Sequence, residues 1–491
     1  MNHIGKREVK RMEQNLERTD ILPEPTECMD EFKRKYRLTE EIARGGQGVV
    51  YRTQSPRVVV KLELDDEKHF VRANDKSKEH FLSLRLLPIP QNLHITLPVA
   101  VTEKYSGYVM QLMDDMVSFQ RAFSGAVDKT PLKNPWLDKI AETNSDLAMI
   151  FFSLIKRGGI RRMYLAYLKT ACLLAGLHEA GLVYCDFSKE NVFVSSDQRF
   201  CNVWLIDADN LDFQEKTSQH VIYTPGIGAP ELIDEAVNKG CTFFSDCHAF
   251  ASTFFQQITG HHPFEGSLFD EKTEELDDLK QAEYLRDCGE FPWVFDCSDD
   301  ANAWGGGDVF KNLIHPAVME LFEQTFSANG GLFKRENRPL MAEWAYALAA
   351  AWDETVQCPN CQMERFGGEV TCPWCDSVHA LVEIKSYYKT DEILWRFVSE
   401  IKKDEQIDIP ARIVNGFHAT DIDDTVFVLT WTDNGLDIQK TKDSLIVEFA
   451  DSRSERTKSA GFVTDGADID IFCDGGGATA YKIEVRLKND A

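Results

Sequence analysis

Residues 36–115 alternate apolar and polar positions in short runs, YRLTEEIA, GVVYRT, RVVVKLEL, ITLPVAVTE and YSGYVMQLM. A two-residue period of this kind predicts strands, and one helical segment, KSKEHFLSLRLL, interrupts them. Between residues 116 and 350 the period lengthens. RRMYLAYLKTACLLAGLHEAG carries apolar residues at helical spacing and stops at Gly181, and SDCHAFASTFFQQITG is closed by Gly260. DEKTEELDDLKQAEYLRDCGE is acidic and reads as a solvated insertion. From about residue 383 alternation returns, with turn signals DNG and DGGG between the runs, which predicts a small β-sandwich. Residues 1–35 are charged and weakly periodic, a helix or a loose arm. The pattern therefore predicts an α+β chain divided at 1–35, 36–352, 353–382 and 383–491.

Composition adds limits. A chain of 491 residues exceeds one core, and 43% apolar with 27% charged residues is an ordinary globular balance. No apolar run reaches membrane-spanning length, and MNHIGKREVKRMEQNLERTD lacks the apolar stretch of a signal peptide, so the expected compartment is the cytoplasm. The net charge of −26 disfavours non-specific nucleic-acid binding, and neither nucleic acid nor membrane is expected as a partner. Of 13 cysteines, nine are scattered without a framework, which favours reduced thiols over disulfides.

Candidate chemistry begins at IARGGQGVVYRT, where Gly45, Gly46, Gln47 and Gly48 form a turn between two strands. Glycines let backbone N–H groups approach phosphates closely and adopt positive φ. Lys61 ends the apolar strand VVVK, where an ammonium needs an anionic partner. Glu79, in the helical segment, is the preferred partner, and Glu67 a weaker one. In GLVYCDFSKENVFV, Asp186 suits a base that accepts a hydroxyl proton and Asn191 suits a metal ligand; Asp207, after the strand VWLI, suits the main Mg²⁺ ligand.

In this order and spacing, the chain resembles the eukaryotic-like bacterial serine/threonine protein kinases over about residues 36–350. The glycine-rich motif corresponds to Ala43, Gly45, Gly48 and Val50, with its first glycine replaced. Ala229-Pro230-Glu231 is similar to the end of an activation segment, Asp246 to the residue that buttresses the catalytic loop, and Arg338 to the partner of Glu231. The resemblance implies a bilobal fold, with an N-lobe at 36–113 and a C-lobe at 114–352, that uses ATP and Mg²⁺. It implies that Lys61, paired with Glu79, aligns phosphates, that Asp186 is the base, and that Asn191 and Asp207 hold Mg²⁺. The backbone from Gln111 to Met113 would hold the adenine, with Met110 as gatekeeper and Val50, Val59 and Phe193 packed around the ring.

The departures are specific. Cys185 stands where the family has an arginine that grips a phosphorylated loop, and Ser188 where it has a phosphate-neutralising lysine, with Lys189 adjacent. Asp207-Ala208-Asp209 replaces Asp-Phe-Gly, and Asp209 reads as a turn cap in preference to a second carboxylate near the metal. LDFQEKTSQHVIYTPG offers Thr217, Ser218, Tyr223 and Thr224 as activation-segment hydroxyls. A pseudokinase scaffold is the alternative to an active kinase. More narrowly, GGQGVVY, IDADN and the appended cysteines are similar to kinases of tellurite-resistance and stress operons. That likeness implies a von Willebrand-type domain protein and a metal-dependent phosphatase as partners.

The cysteines in question form CPNCQMERFGGEVTCPWC. Cys358, Cys361, Cys372 and Cys375 make two CxxC knuckles, a ligand set for tetrahedral Zn²⁺, with iron in a rubredoxin-like site sharing the same ligands. Four thiolates close the site, so the expectation for 353–382 is a structural zinc ribbon that spaces or orients its neighbours. Asp421, Asp423 and Asp424 read as a solvated turn.

Overall fold

The computed structural model describes residues 22–218, 221–234, 240–276, 278–473 and 479–489. Most of the expected arm, Gln219 and His220 of the activation-segment candidate, and the DGGG turn lie outside these residues.

The architecture is mixed α and β. Near the N-terminus six strands pair antiparallel in the order Glu27–Met29, Lys35–Arg44, Gly48–Thr53, Val58–Glu63, Gly107–Gln111 and Ala100–Val101. Inward alternation supplies its core: Val49, Tyr51, Val60, Leu62 and Val109 are buried together with Leu22 and Cys28. Residues 22–35, expected as an arm, thus give the sheet an edge strand and part of its core. The helix Asp75–Leu84 begins at Asn74, whose side chain accepts from the Ser77 amide, and it buries Phe81 and Leu84. Phe81 packs on Tyr108 of the sheet, with ring centroids 5.1 Å apart.

The longest helix, Gly159–Glu179, is buried on most of its faces and leads through Gly181 into the segment that carries Asp186. Gly181 has φ 80°, a left-handed turn that ends a helix without strain for glycine. Helix Phe243–Thr259 packs beside it through rings such as Tyr167 and Phe254, and ends at Gly260 with φ 75°. The acidic stretch is not simply solvated. It forms helices Ser267–Leu276 and Leu279–Asp287, which bury Phe269, Ala282 and Arg286 while Leu279 and Tyr284 stay exposed.

The C-terminal part contains two antiparallel sheets. One has six strands in the order Ile393–Glu400, Leu381–Tyr387, Lys482–Lys488, Asp468–Cys473, Val447–Ala450 and Thr457–Lys458; the other has four, Gln406–Pro410, Thr425–Thr432, Gly435–Lys440 and Gly461–Thr464. Phe427 of the smaller sheet meets Phe449 of the larger, with centroids 6.3 Å apart.

The cysteine segment is docked against helices and does not act as a free spacer. Asn134 Nδ2 donates to the Cys361 carbonyl at 2.7 Å, and Trp136 Nε1 donates to the Trp374 carbonyl at 2.5 Å. Glu364 accepts from the Arg161 amide at 2.8 Å, in the first turn of the longest helix. Beyond it, Asp353 and Arg412 form a buried ion pair that ties helix Met341–Asp353 to the C-terminal sheets. Among the described residues, no helix is long and apolar enough to cross a membrane.

Candidate functional site

The glycine turn closes with the Gly45 amide donating to the Gly48 carbonyl at 2.8 Å, next to Gln47, whose own carbonyl accepts from the Leu64 amide at 2.9 Å. None of Gly45, Gly46 or Gly48 adopts positive φ. The need for glycine is steric at Gly48, where a Cβ would lie 2.9 Å from the Leu62 carbonyl oxygen of the next strand. Gly45 and Gly46 face open space, apart from the Lys68 ammonium, which donates to the Gly46 carbonyl.

Lys61 stands on strand Val58–Glu63, opposite Val50 on one side and Tyr108 on the other. Its ammonium is paired with Asp207, and lies 2.6 Å from Asp209 Oδ2. Burial opposes the charge, but the Asp209 and Asp207 carboxylates outweigh it and hold Lys61 above its ordinary range. Glu79 is not the partner: it is exposed on helix Asp75–Leu84 and makes no ion pair among the described residues. The two aspartates reach the ammonium first because Asp207, at φ 58°, turns the chain back so that Asp209 lies beside it. Asp209, expected as a turn cap, is thus a second carboxylate on Lys61. Its Oδ1 is buried and has no hydrogen-bond partner among the described residues. Burial pushes the Asp207 carboxyl up, against the pull of Lys61.

Asp186 is held by two neighbours. Its Oδ1 accepts from Thr224 Oγ1 at 3.1 Å, and its Oδ2 accepts from Asn191 Nδ2, also at 3.1 Å. Burial raises its pKa, while the Thr224 and Asn191 hydrogen bonds oppose the rise. The turn before it is fixed by Asp246, which accepts from the amides of Tyr184 at 2.8 Å and Cys185 at 2.9 Å. Cys185 has φ 71°, a strained conformation for a residue with a side chain, held by that clamp. The Asn191 carbonyl accepts from the Ile206 amide at 2.9 Å, which sets Asp186 and Asp207 on adjoining segments. Glu231 and Arg338 form a bidentate buried pair, both contacts at 2.7 Å.

Other expected positions are less closely gathered. Val59 is buried and pairs with Met110 across the sheet, and Val50 is half-buried on the next strand. Gln111 is exposed and Met113 half-buried where the chain leaves strand Gly107–Gln111. Phe193 is half-buried on a different sheet, in strand Val192–Ser195. Thr217 is buried, with Oγ1 donating to the Cys241 carbonyl at 3.1 Å, so of the two neighbouring hydroxyls only Ser218 is exposed. Lys189, which makes no ion pair among the described residues, lines a cleft of about 660 Å³ together with Thr224.

Cys358, Cys361, Cys372 and Cys375 bring their sulfurs within 4.8 Å of one another. Cys358 and Cys375 lie 3.7 Å apart, and Cys361 and Cys372 3.8 Å. A tetrahedron of thiolates about 2.3 Å from Zn²⁺ has edges of about 3.8 Å, so the four sulfurs fit one ion. Each knuckle turns through a left-handed residue, Gln362 at φ 62° and Asp376 at φ 58°, whose amides return to the Cys358 and Cys372 carbonyls. The hydrogen bond from Cys361 pulls the Cys372 thiol down to about 5, toward the thiolate that binds metal.

No family model matches the chain. Over 99 residues, 19% of the chain, it is 28% identical to the serine/threonine-protein kinase pkn2 of Myxococcus xanthus, and the match spans 12% of that protein's length. The likeness is local and points to a kinase-like relationship.

Proposed function

We propose that the chain is an ATP- and Mg²⁺-dependent protein serine/threonine kinase, with residues 36–352 as its kinase-like domain. The observation that carries this reading is the gathering of Lys61, Asp207 and Asp209 beside an Asp186 that bonds both Thr224 and Asn191. Phosphoryl transfer is mostly positioning and charge stabilisation, and this set offers both.

In this reading Asp186 orients the attacking hydroxyl and takes its proton; burial raises its proton affinity toward that role. Lys61 lies against phosphate oxygens. Asn191 and Asp207 supply oxygen donors for Mg²⁺, and the buried, unpartnered Asp209 Oδ1 is a further donor of the kind a hard cation takes. The ion, when bound, neutralises phosphate charge. Ser188 is buried, and Lys189, which lines the same cleft as Thr224, would be the cation that covers the transferred group. Zn²⁺ in the four-cysteine hairpin is structural, and the hairpin with the sheets of 383–491 would bind partners or substrate.

A pseudokinase scaffold is the competing reading, favoured by one feature: the Lys61 ammonium is already bound by two carboxylates. Incubation with labelled ATP and Mg²⁺ separates the two. Label transferred by the wild type and not by Asp186→Asn supports the kinase. ATP binding without transfer to the protein itself or to general substrates supports the scaffold.

A further inference from the structure

We propose that the pocket between the loop 121–128 and the start of the longest helix binds a phosphate dianion, either free phosphate or the phosphoryl group of a phosphorylated peptide. The pocket, of about 330 Å³, is lined by Arg121, Lys156, Arg157 and Arg162, against one carboxylate, Asp128. Asp128 is a weak counterweight: its side chain is 74% exposed and 3.8 Å from Lys156. Four cations around one pocket are notable in a chain whose net charge is −26.

The arginines are held by carbonyl oxygens, and the Asp197 carboxylate acts on Arg162 without forming an ion pair with it. Arg162 is 8% exposed; it donates to the Arg157 carbonyl at 3.0 Å and the Ser195 carbonyl at 2.8 Å. Arg157 donates to the Gly125 carbonyl at 2.7 Å. The Nε of each is buried without a partner among the described residues. Among the described residues, Arg121, Arg157 and Arg162 make no ion pair. Burial lowers the proton affinity of Arg157, with no carboxylate acting in the other direction. The neighbouring pocket, which Arg162 also lines, pairs two of its cations: Lys169 with Asp423 at 2.9 Å and Arg199 with Asp197 at 2.6 Å. Carbonyl oxygens fix guanidinium geometry but leave mutual repulsion in place, and a dianion with several acceptor oxygens relieves it.

Neither Lys61 nor Asp207 lines the pocket, and although Arg157 also lines the cleft of Lys189 and Thr224, Arg121 and Lys156 do not, so a test on those two does not depend on the kinase reading. Calorimetric titrations of the full chain would use inorganic phosphate, a phosphoserine peptide, its unphosphorylated form and ATP, against wild type and Arg121→Ala/Lys156→Ala. Arg121 is exposed and Lys156 half-buried, and the variant keeps the more deeply buried arginines. The expected result is saturable binding of phosphate or phosphopeptide that weakens at least about tenfold in the variant, the loss expected from charge-assisted contacts. ATP binding should be unchanged. Phosphopeptide binding tighter than phosphate identifies a peptide ligand; equal binding identifies the free ion. No saturable binding up to about 10 mM, or binding that the variant leaves unchanged, overturns the proposal.

Discussion

Replacing Arg412 by Met tests how the C-terminal sheets are fastened to the helical body. The Asp353 and Arg412 side chains are 1% and 4% exposed. Arg412 reaches Asp353 with Nε at 2.5 Å and Nη2 at 2.6 Å, and its Nη1 donates to the Ile422 carbonyl at 2.8 Å. Trp395 Nε1 adds a third donor to the carboxylate at 2.7 Å. Met fills most of the arginine stem, so the main loss is charge compensation. An uncompensated buried carboxylate costs about 3–5 kcal/mol. Burial raises the Asp353 pKa and the Arg412 contacts oppose that rise, so removing Arg412 moves it further up. A carboxyl whose folded pKa is raised contributes most below its unfolded value and loses that contribution as pH rises through the folded one. The deficit of Arg412→Met is therefore expected to be largest above neutrality and to shrink as pH falls. Urea unfolding followed by tryptophan fluorescence at pH 5 and pH 8 measures it. Arg412→Met/Asp353→Asn should recover most of the loss. A deficit below about 1 kcal/mol at pH 8, or one independent of pH, refutes the reasoning.

Three further outcomes follow from the same structure. Burial lifts Glu364 to about 7, so its contribution to stability is full below about 4.5 and is lost as pH rises through about 7, a swing of about 3 kcal/mol. Glu364→Gln keeps an acceptor for the Arg161 amide, and its melting temperature should vary less than that of wild type between pH 5 and 8; an unchanged slope counts against it. Metal analysis should find about one zinc per chain; chelation or Cys361→Ser should shift tryptophan emission, because Trp136 and Trp374 are hydrogen-bonded to the hairpin. Lys61→Met leaves Asp207 and Asp209 without their cation, so the variant should melt lower at pH 8 and approach wild type at pH 5 as the Asp207 carboxyl, already pushed up by burial, takes a proton. Equal deficits at both pH values would mean that the carboxylates do not carry the effect.

Local features were legible in the sequence and spatial partnerships were not. The four cysteines announce themselves because each pair of ligands is separated by two residues, so the knuckle is local. The helices ending at Gly181 and Gly260 are legible for the same reason, apolar period followed by a left-handed glycine. Lys61, Asp186, Asn191 and Asp207 stand out by type and order. The Lys61 partner was not legible. Spacing pointed to Glu79, whereas a left-handed Asp207 folds Asp209 back onto the ammonium, and no neighbouring residue signals that φ. Nor could spacing show that Asn134 and Trp136 receive the cysteine hairpin across more than two hundred residues of chain.

That distance has a consequence for synthesis. Gly159 opens the longest helix at φ 76°, where any side chain would collide with the Glu364 carboxylate that caps the helix's amides. The cap is encoded some two hundred positions after the helix it finishes. As the chain leaves the ribosome, the segment leading to Asp186 is complete long before its cap exists. The helix start stays open until the cysteine hairpin emerges, and contacts of such long separation form slowly. Closure of that helix thus becomes a late event in the life of the nascent chain, and a chain released before the hairpin is made would expose a helix end that the finished protein keeps sealed.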